Sequence, residues 1–176
     1  MLRKKAVIYC SASYTIDPKY NQAAREVVRA ACLCGYGIVS GGTVKGTMGV
    51  VCEEALKHDV EVIGVVPRFM KDLVYPGMTT TIWTDTMSER KQLMREGCSL
   101  AIALPGGIGT LDEVIETLVL VKLAKYDGKV IFYNAYGFYE PVKALLDHYV
   151  ATEMLTPEDR KLAYFPETIE QFRELL

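Results

Sequence analysis

Short apolar runs alternate with longer amphipathic stretches along this chain. The runs are rich in Val, Ile and Ala, and apolar and polar residues do not alternate within them. They are KAVIYC (5–10), YGIVS (36–40), EVIGVVP (61–67), SLAIALP (99–105) and KVIFYN (129–134). Strands of a parallel sheet are covered on both faces and show this pattern. The sequence therefore predicts a doubly wound, Rossmann-like α/β fold, with a parallel sheet and helices on both of its faces.

Several helix ends are legible between these strands. Asp17-Pro18 is typical of a helix start, and Gly35 is placed to end that helix. Thr156-Pro157 and the spacing Thr168-x-x-Gln171 predict the starts of two short helices further along.

The least regular segment is residues 67–82, which contain two prolines and a glycine. We expect these residues to form a loop over the edge of the sheet. The sequence contains no repeat, low-complexity stretch or long linker, so residues 1–176 are predicted to form a single nucleotide-binding α/β domain.

Composition narrows the class of partner. Half of the residues are apolar, and 20 basic against 22 acidic residues give a formal net charge of −2. A nucleic-acid binder needs a basic face, so we expect no nucleic-acid partner, whereas a small anionic ligand needs only a local positive site. The apolar stretch at Ala6–Cys10 is too short for a signal peptide, and no run reaches the roughly 20 apolar residues of a membrane span. We therefore expect a cytoplasmic protein with no membrane partner.

The cysteines and histidines do not suggest a metal. His58 and His148 are far apart and outside any metal-binding spacing, so no metal site is expected. The cysteines form no C-x-x-C pair and lie in or beside apolar segments, which predicts reduced core residues. They are Cys10, Cys32, Cys34, Cys52 and Cys98.

Two glycine-rich turns follow predicted strands. They are SGGTVKGTMG (40–49) and ALPGGIGTLDEV (103–114), and both lead into helices at the edge of the sheet where such folds bind ligands. The first is not a P-loop, because Lys45 precedes Gly46 instead of following the second glycine. The second is not a dinucleotide fingerprint, because Asp112 occupies the position of the third glycine.

The second turn has two physical interpretations. Glycines let backbone N–H groups approach an anion, and a helix N-terminus adds a partial positive charge, so the turn is a candidate phosphate cradle. A tight strand-to-helix turn would also select glycine. Two such turns at one sheet edge favour the ligand site, whose predicted residues are Gly106, Gly107, Gly109 and Thr110.

Glu113 also has two interpretations. Thr110-Leu-Asp-Glu113 fits a capping box, in which the glutamate bonds to the helix start and does no chemistry. The same spacing occurs at Thr86-Met-Ser-Glu89. Local spacing alone does not decide between a capping and a catalytic glutamate.

The combination of motifs resembles a known family. Residues 105–113 match PGGxGTxxE, and Arg90 lies upstream in MSERKQLM (87–94). Together with the first glycine loop these motifs resemble the Lonely Guy (LOG) family of cytokinin riboside 5′-monophosphate phosphoribohydrolases, many of which were long labelled lysine decarboxylases. The similarity extends from AVIYCSAS to KVIFYNAYGFYEPVKALL, most of the chain.

The resemblance implies a reaction and its residues. A nucleoside 5′-monophosphate, AMP or a cytokinin riboside monophosphate, would be hydrolysed to free base and ribose 5-phosphate without a cofactor. Arg90 and Glu113 would be catalytic, and the PGGxGT backbone would bind phosphate. The remaining nucleotide-binding residues would be Gly41, Gly42, Gly46, Met87 and Lys91.

Two positions depart from the family pattern. Thr43 stands where the first loop usually has a third glycine, and Ser11-Ala12 replaces Gly-Ser after Cys10. Both departures affect the nucleotide pocket and leave the catalytic pair intact. Tyr75, Trp83 and Met87 are either part of a base pocket or ordinary packing residues.

Two other functions are compatible with parts of the sequence to different degrees. A lysine decarboxylase would hold pyridoxal phosphate on a lysine, and the histidine-lysine order of such enzymes is reversed here in Lys57-His58. A nucleotide carrier of the same fold would share the phosphate cradle but would need neither Arg90 nor Glu113.

The helix that begins near Thr110 has an apolar surface wider than one core-facing stripe. Either neighbouring helices of the same chain or a second copy must cover it. The resemblance to the LOG family, whose members form dimers, favours a homodimer. The apolar residues are Leu111, Val114, Ile115, Leu118, Val119, Leu120, Val121 and Leu123.

Overall fold

The computed structural model of the protein describes residues 4–176, which contain one seven-stranded parallel sheet. The strands are β1 (Lys5–Tyr9), β2 (Gly37–Ser40), β3 (Val62–Pro67), β4 (Thr80–Thr84), β5 (Leu100–Ala103), β6 (Lys129–Phe132) and β7 (Ala163–Tyr164). Their order across the sheet is β4-β3-β2-β1-β5-β6-β7. All neighbouring strands are parallel, as the apolar runs predict.

Helices cover both faces of the sheet. They are α1 (Pro18–Leu33), α2 (Gly46–Ala55), α3 (Met87–Arg95), α4 (Ile108–Lys122), α5 (Glu140–Ala151), α6 (Pro157–Arg160) and α7 (Ile169–Arg173). One core contains buried side chains of α1, α2 and α7, and the other contains those of α3, α4 and α5. The predicted doubly wound fold is therefore confirmed.

The central strand β1 shows how the two cores are built. Ala6 and Ile8 belong to the α1 side and Val7 and Tyr9 to the α3 side, because successive side chains of a strand point to opposite faces. All four are at most 1% exposed. Burial on both faces explains why the run carries no polar alternation.

The predicted helix ends are confirmed. The Asp17 carboxylate accepts a hydrogen bond from Lys19 N at 3.0 Å, with Pro18 in the first helical position. Gly35 has φ +81° just after α1, a conformation that glycine adopts without strain. Thr156 and Thr168 cap α6 and α7.

The interpretation of residues 67–82 as a loop over the sheet edge is wrong in part. Pro67 ends β3, residues 68–73 form a 3-10 turn, and β4 begins at Thr80. β4 is an edge strand whose residues are mostly exposed or half-buried, so its sequence TTIWT has no continuous apolar run. The sequence does not predict β7 either, because this short edge strand also lacks a continuous apolar run.

Four cysteines are buried as expected, but Cys34 is exposed. Cys34 is the C-cap of α1, where the helix leaves the core. The prediction that all five cysteines are core residues is therefore wrong at this position. In residues 4–176, no helix has the length and apolarity that crossing a bilayer requires.

A buried carboxylate joins α1 to α2. Glu54 is 1% exposed and accepts hydrogen bonds from Arg29 Nε and Lys57 Nζ, both at 3.0 Å. Burial alone would raise the pKa of Glu54, but these two cations more than offset it and lower the pKa below its ordinary value. The pair of helices is thereby held as one unit, and α2 begins at the first glycine loop.

Candidate active site

The sheet changes direction next to β1. The chain builds β2, β3 and β4 on one side of β1 and then places β5 on the other side. Loops diverge at such a switch point and leave a crevice at the carboxyl ends of the strands. A cleft of about 500 Å³ lies there, lined by the end of β1, the first glycine loop and the starts of α3 and α4.

The catalytic candidates Arg90 and Glu113 meet in this cleft. Both line it, although they are 23 positions apart in the sequence and belong to α3 and α4. Each affects the ionisation of the other: burial raises the pKa of Glu113 and the charge of Arg90 opposes this rise, while burial lowers the pKa of Arg90 and the charge of Glu113 opposes this fall. The fold therefore brings together the pair that local spacing could not relate.

The capping interpretation of Glu113 is wrong. Helix α4 begins at Ile108 with Gly107 as its N-cap, so Thr110 lies inside the helix and caps nothing. The same spacing at Thr86 does form a cap: Thr86 Oγ1 accepts from Glu89 N at 3.1 Å, and the Glu89 carboxylate accepts from Asp85 N at 2.8 Å. Glu113 is left free to face the cleft.

The environment of Glu113 makes its carboxyl easier to protonate than that of an exposed glutamate. Burial raises the pKa of Glu113 from its ordinary value to about 7, with Asp112 and Glu116 adding to the effect and Arg90 and Lys91 opposing it. A carboxyl with this pKa exchanges its proton near neutral pH, as an acid-base catalyst must. Glu113 can therefore accept or release a proton in the cleft.

Arg90 is held rigidly. It is 6% exposed, and it donates from Nε to Val65 O at 2.9 Å and from Nη2 to Gly41 O at 3.2 Å. Burial lowers the pKa of the guanidinium below its ordinary value, yet arginine stays charged in proteins. The cleft thus contains a fixed positive charge whose Nη1 is not used in these two bonds.

The glycines of the first loop are explained by close packing inside the protein. A Cβ at Gly41 would overlap Arg90 Nη2, one at Gly42 would overlap Gly64, and one at Gly46 would overlap Ser13. Among these glycines only Gly41 lines the cleft. The structure thus accounts for Gly42 and Gly46 by packing, while their predicted nucleotide contact stays a prediction.

Two glycines of the second loop are not explained in this way. Apart from the adjacent residues and the backbone of α4 itself, a Cβ at Gly107 or Gly109 would meet no atom of residues 4–176 within 4 Å, and neither residue has a positive φ. Gly109 lies in the first turn of α4, where glycine costs about 1 kcal/mol relative to alanine. Gly106 differs, because a Cβ there would overlap the Thr110 side chain. The open space before Gly107 and Gly109 is in the cleft.

The start of α4 is a suitable anion site. Gly107 has no side chain, and no residue of the described chain caps this helix through a side chain. Thr110 is 3% exposed and lines the cleft together with Gly107 and Gly109. The N–H groups of an uncapped first turn, and the positive end of the helix dipole, point toward any ligand placed there.

The two further candidates on α3 occupy different surroundings. Met87 lines the cleft and is 44% exposed. Lys91 also lines it, but its ammonium group is paired with Asp112 at 3.0 Å and with Glu116. Hydrogen bonds from this ammonium to Glu116 and Asp112 raise the pKa of Lys91, so any contact with a nucleotide has to compete with these carboxylates.

Other cleft residues escaped the sequence analysis. The loop after β1 contributes Cys10 and Ser13, and Met48, Met70 and Met94 add apolar lining. The position of β1 at the centre of the sheet is the signal that could have identified the residues that follow it. Trp83 and Tyr75, considered as base-pocket residues, are not among those that line the cleft.

A larger hollow of about 720 Å³ lies at the opposite end of the sheet. It is lined by the turn before β5 (residues 95–99) and the turn after α4 (124–127). No helix of residues 4–176 begins among the residues that line this hollow, and ligands of parallel sheets bind at the carboxyl ends of strands. Chemistry and topology therefore both indicate the smaller cleft.

Sequence comparisons agree with the motifs. The profile of a family described as "Possible lysine decarboxylase" matches residues 48–176. The cytokinin riboside 5′-monophosphate phosphoribohydrolase of Rhodococcoides fascians is 30% identical over 160 residues, which cover 89% of this chain and 81% of that protein. The enzyme of the same name from Mycobacterium tuberculosis is 32% identical over 152 residues, covering 85% of this chain and 81% of that protein.

Solved structures share the fold at lower identity. A molybdenum cofactor binding protein from Rippkaea orientalis has a TM-score of 0.73 and 22% identity, over 99% of this chain and 96% of that one. A molybdenum cofactor carrier protein from Chlamydomonas reinhardtii has a TM-score of 0.71 and 15% identity, over 98% and 95%. At these identities the likeness to the solved structures concerns the fold alone. The family profile and the sequence relatives establish that this chain belongs to the LOG family, whose profile is described as possible lysine decarboxylases.

Proposed function

We propose that this protein hydrolyses the N-glycosidic bond of a nucleoside 5′-monophosphate, releasing the free base and ribose 5-phosphate. The observation that carries the proposal is the meeting of Glu113 and Arg90 in one cleft with the uncapped start of α4. Relatives named as cytokinin riboside 5′-monophosphate phosphoribohydrolases, at about 30% identity, support this reaction.

The substrate phosphate binds at the start of α4. The backbone N–H groups of the turn at 107–110 surround the anion, and the open space before Gly107 and Gly109 accommodates its oxygens. This end of the cleft fixes the 5′ end of the nucleotide. The ribose then extends along the cleft toward Glu113.

Glu113 acts at the anomeric carbon. Cleavage of a glycosidic bond passes through an oxocarbenium-like state, and a nearby carboxylate stabilises the positive charge that develops on the sugar. The Glu113 carboxylate also orients a water molecule toward C1′ and accepts its proton as the new C–O bond forms. The bond to the base breaks, and the base leaves with its electron pair and takes up a proton. Arg90 supplies a fixed positive charge that binds an anionic oxygen or assists the departing base.

One carboxylate does not account for enzymatic rates. A positioned acid or base contributes about 10²–10⁴-fold, whereas enzymes commonly reach 10⁶-fold or more. The remaining acceleration comes from the phosphate contacts, which hold the ribose in the reactive position. The cradle and Glu113 therefore belong to one site.

The base end of the cleft is apolar. We assign the base to the methionines that line the cleft, which are Met48, Met70, Met87 and Met94, the last of them only 1% exposed. Methionine is flexible and makes favourable contacts with aromatic rings. These walls suit a purine, either the plain adenine of AMP or a prenylated adenine.

A carrier of nucleotides or cofactors is the alternative function. The molybdenum cofactor carriers share the fold, and a carrier would use the same phosphate cradle. A carrier has no use for a carboxyl whose pKa lies near 7 beside a buried arginine. These two residues favour the enzyme.

The proposal includes a homodimer in the cytoplasm, where thiols such as the exposed Cys34 stay reduced. An apolar groove of about 300 Å³ lies between α4 and α5. Its walls include Leu111, Val119 and Leu145, which are 37%, 48% and 47% exposed. The neighbouring helices of the same chain thus leave this surface partly uncovered, and a second copy would cover it beside the start of α4.

The first prediction concerns catalysis. Glu113→Gln removes the carboxylate while keeping its shape, so base release falls by at least about 10²-fold and nucleotide binding persists. Glu89→Gln is the matched control, because glutamine also serves in a capping box. The measurement is release of free base from a panel of purine and pyrimidine monophosphates. Equal turnover by Glu113→Gln would remove Glu113 from the mechanism.

The second prediction concerns pH and stability. The pKa of Glu113 is raised to about 7 in the folded protein, so the folded state keeps a proton that the unfolded chain releases near its ordinary pKa of 4.5. The corresponding stability is fully present below the unfolded pKa and is lost as the pH rises through about 7. In urea titrations, the unfolding free energy of the wild type falls relative to that of Glu113→Gln as the pH rises from 4.5 to about 7. An equal dependence of the unfolding free energy on pH in the two proteins would contradict the raised pKa.

The third prediction separates folding from phosphate binding. Gly109→Ala keeps or increases stability, by up to about 1 kcal/mol, because alanine favours the helix and its Cβ meets open space. The same Cβ occupies the cradle, so affinity for ribose 5-phosphate falls in calorimetric titrations. Gly106→Ala is the contrasting variant and lowers stability, since its Cβ overlaps Thr110. Undiminished affinity in Gly109→Ala would place the phosphate elsewhere.

The fourth prediction concerns assembly. Light scattering at micromolar concentration gives the mass of a dimer for the wild type. Val119→Asp puts a charge in the groove and yields monomers. The control is Leu33→Asp, which introduces the same charge at an apolar, 71% exposed position on α1 outside the groove and leaves the dimer intact. A monomeric wild type would refute the homodimer.

A further inference from the structure

Two buried tyrosine hydroxyls hold the segment that carries the cradle and Glu113. Tyr139 donates to Leu104 O at 2.7 Å, just before the second glycine turn. Tyr9 is hydrogen-bonded to Thr117 Oγ1 at 3.0 Å, one helical turn after Glu113. Each tyrosine is at most 3% exposed. The segment is thus tied at one end to the buried turn before α5 and at the other to β1.

The bond at Tyr9 leads directly to the turn of Glu113. Thr117 is fully buried and donates from Oγ1 to Glu113 O at 2.8 Å. Because the single hydroxyl hydrogen of Thr117 is used there, Tyr9 is the donor in the bond between the two hydroxyls. Burial raises the pKa of Tyr9 well above its ordinary value, so the phenol keeps the hydrogen that it donates. The chain of bonds runs from Tyr9 through Thr117 to the backbone of Glu113.

A purely structural role does not require these residue types. Threonine in a helix interior bonds back to the preceding turn, which slightly destabilises and bends a helix. A phenylalanine and a valine would fill the same space without any polar group to satisfy. The polar pair instead fixes one geometry between β1, whose end forms part of the cleft, and the helical turn of the carboxylate.

We propose that Tyr9 and Thr117 are positioning residues, which hold the Glu113 carboxyl in its buried place in the cleft. The effect of the Tyr9–Thr117 link on base release rests on the proposed function. The effect of the link on the pKa of Glu113 does not. Without the link the first turns of α4 shift and Glu113 becomes more solvated. The raised pKa of Glu113 then falls toward its ordinary value.

The experiment follows the Glu113 carboxyl directly. The pH titration of glutamate side-chain ¹³C resonances is recorded by NMR, and the Glu113 resonance is assigned by its loss in Glu113→Gln. Tyr9→Phe lowers the titration midpoint by about half a pH unit or more. Tyr139→Phe, which removes an equally buried hydroxyl at the other end of the segment, leaves the midpoint where it is in the wild type. If Tyr9→Phe folds poorly, the double variant Tyr9→Phe/Thr117→Val removes the link without leaving the buried Thr117 oxygen short of a donor, and it shows the same shift.

Kinetics give a second reading. For Tyr9→Phe we expect kcat to fall about tenfold with KM unchanged, because a small displacement of a catalytic group affects the reaction more than phosphate binding. A midpoint equal to that of the wild type, or an equal shift in Tyr139→Phe, would show that the pair only packs the core. A wild type that releases no base would refute the proposed function, and the NMR titration would still decide the role of Tyr9 and Thr117.

Discussion

Helix α4 begins on a glycine that offers its first turn no side-chain hydrogen bond. Every helix leaves its first backbone N–H groups without partners inside the helix, and most proteins satisfy them with a capping side chain or water. Here the uncapped turn opens into a cleft, with a carboxyl on the next turn of the same helix and a buried arginine on α3. An anion at the helix start would satisfy these donors and bring its attached groups beside the carboxyl.

The fold was largely predictable because burial on both faces produces a visible pattern. The five apolar runs became β1, β2, β3, β5 and β6, which all lie inside the sheet. β4 and β7 are its two edges, where one side of the strand meets solvent or a loop and polar residues are tolerated. Their sequences therefore carry no continuous apolar signal. The prediction that Cys34 is buried is wrong for a related reason. At the end of α1 the chain passes from the buried Cys32 to exposed residues in one step, and the sequence pattern does not show where this happens.

The candidate site was less predictable, because identical local spacing has two outcomes. Thr86 and Glu89 form a cap since α3 begins at Met87, whereas Thr110 stands inside α4, which begins at Ile108. The start of α4 depends on how the turn after β5 meets the sheet, and no four-residue pattern contains that information. The glycines divide in the same way: those of the first loop pack against other parts of the chain, while Gly107 and Gly109 face open space. Only the three-dimensional contacts separate the two groups.

The bonds of Arg90 link chemistry to architecture. Its guanidinium donates hydrogen bonds to the carbonyl of Val65, inside β3, and to that of Gly41, in the loop after β2. The charge proposed to serve the reaction thus also links strand β3 to the loop after β2, and a residue without these hydrogen-bond donors would loosen that link. A descendant of this chain without the proposed activity would still have little freedom to change this arginine, so an arginine here is a weaker sign of that activity than a glutamate at position 113.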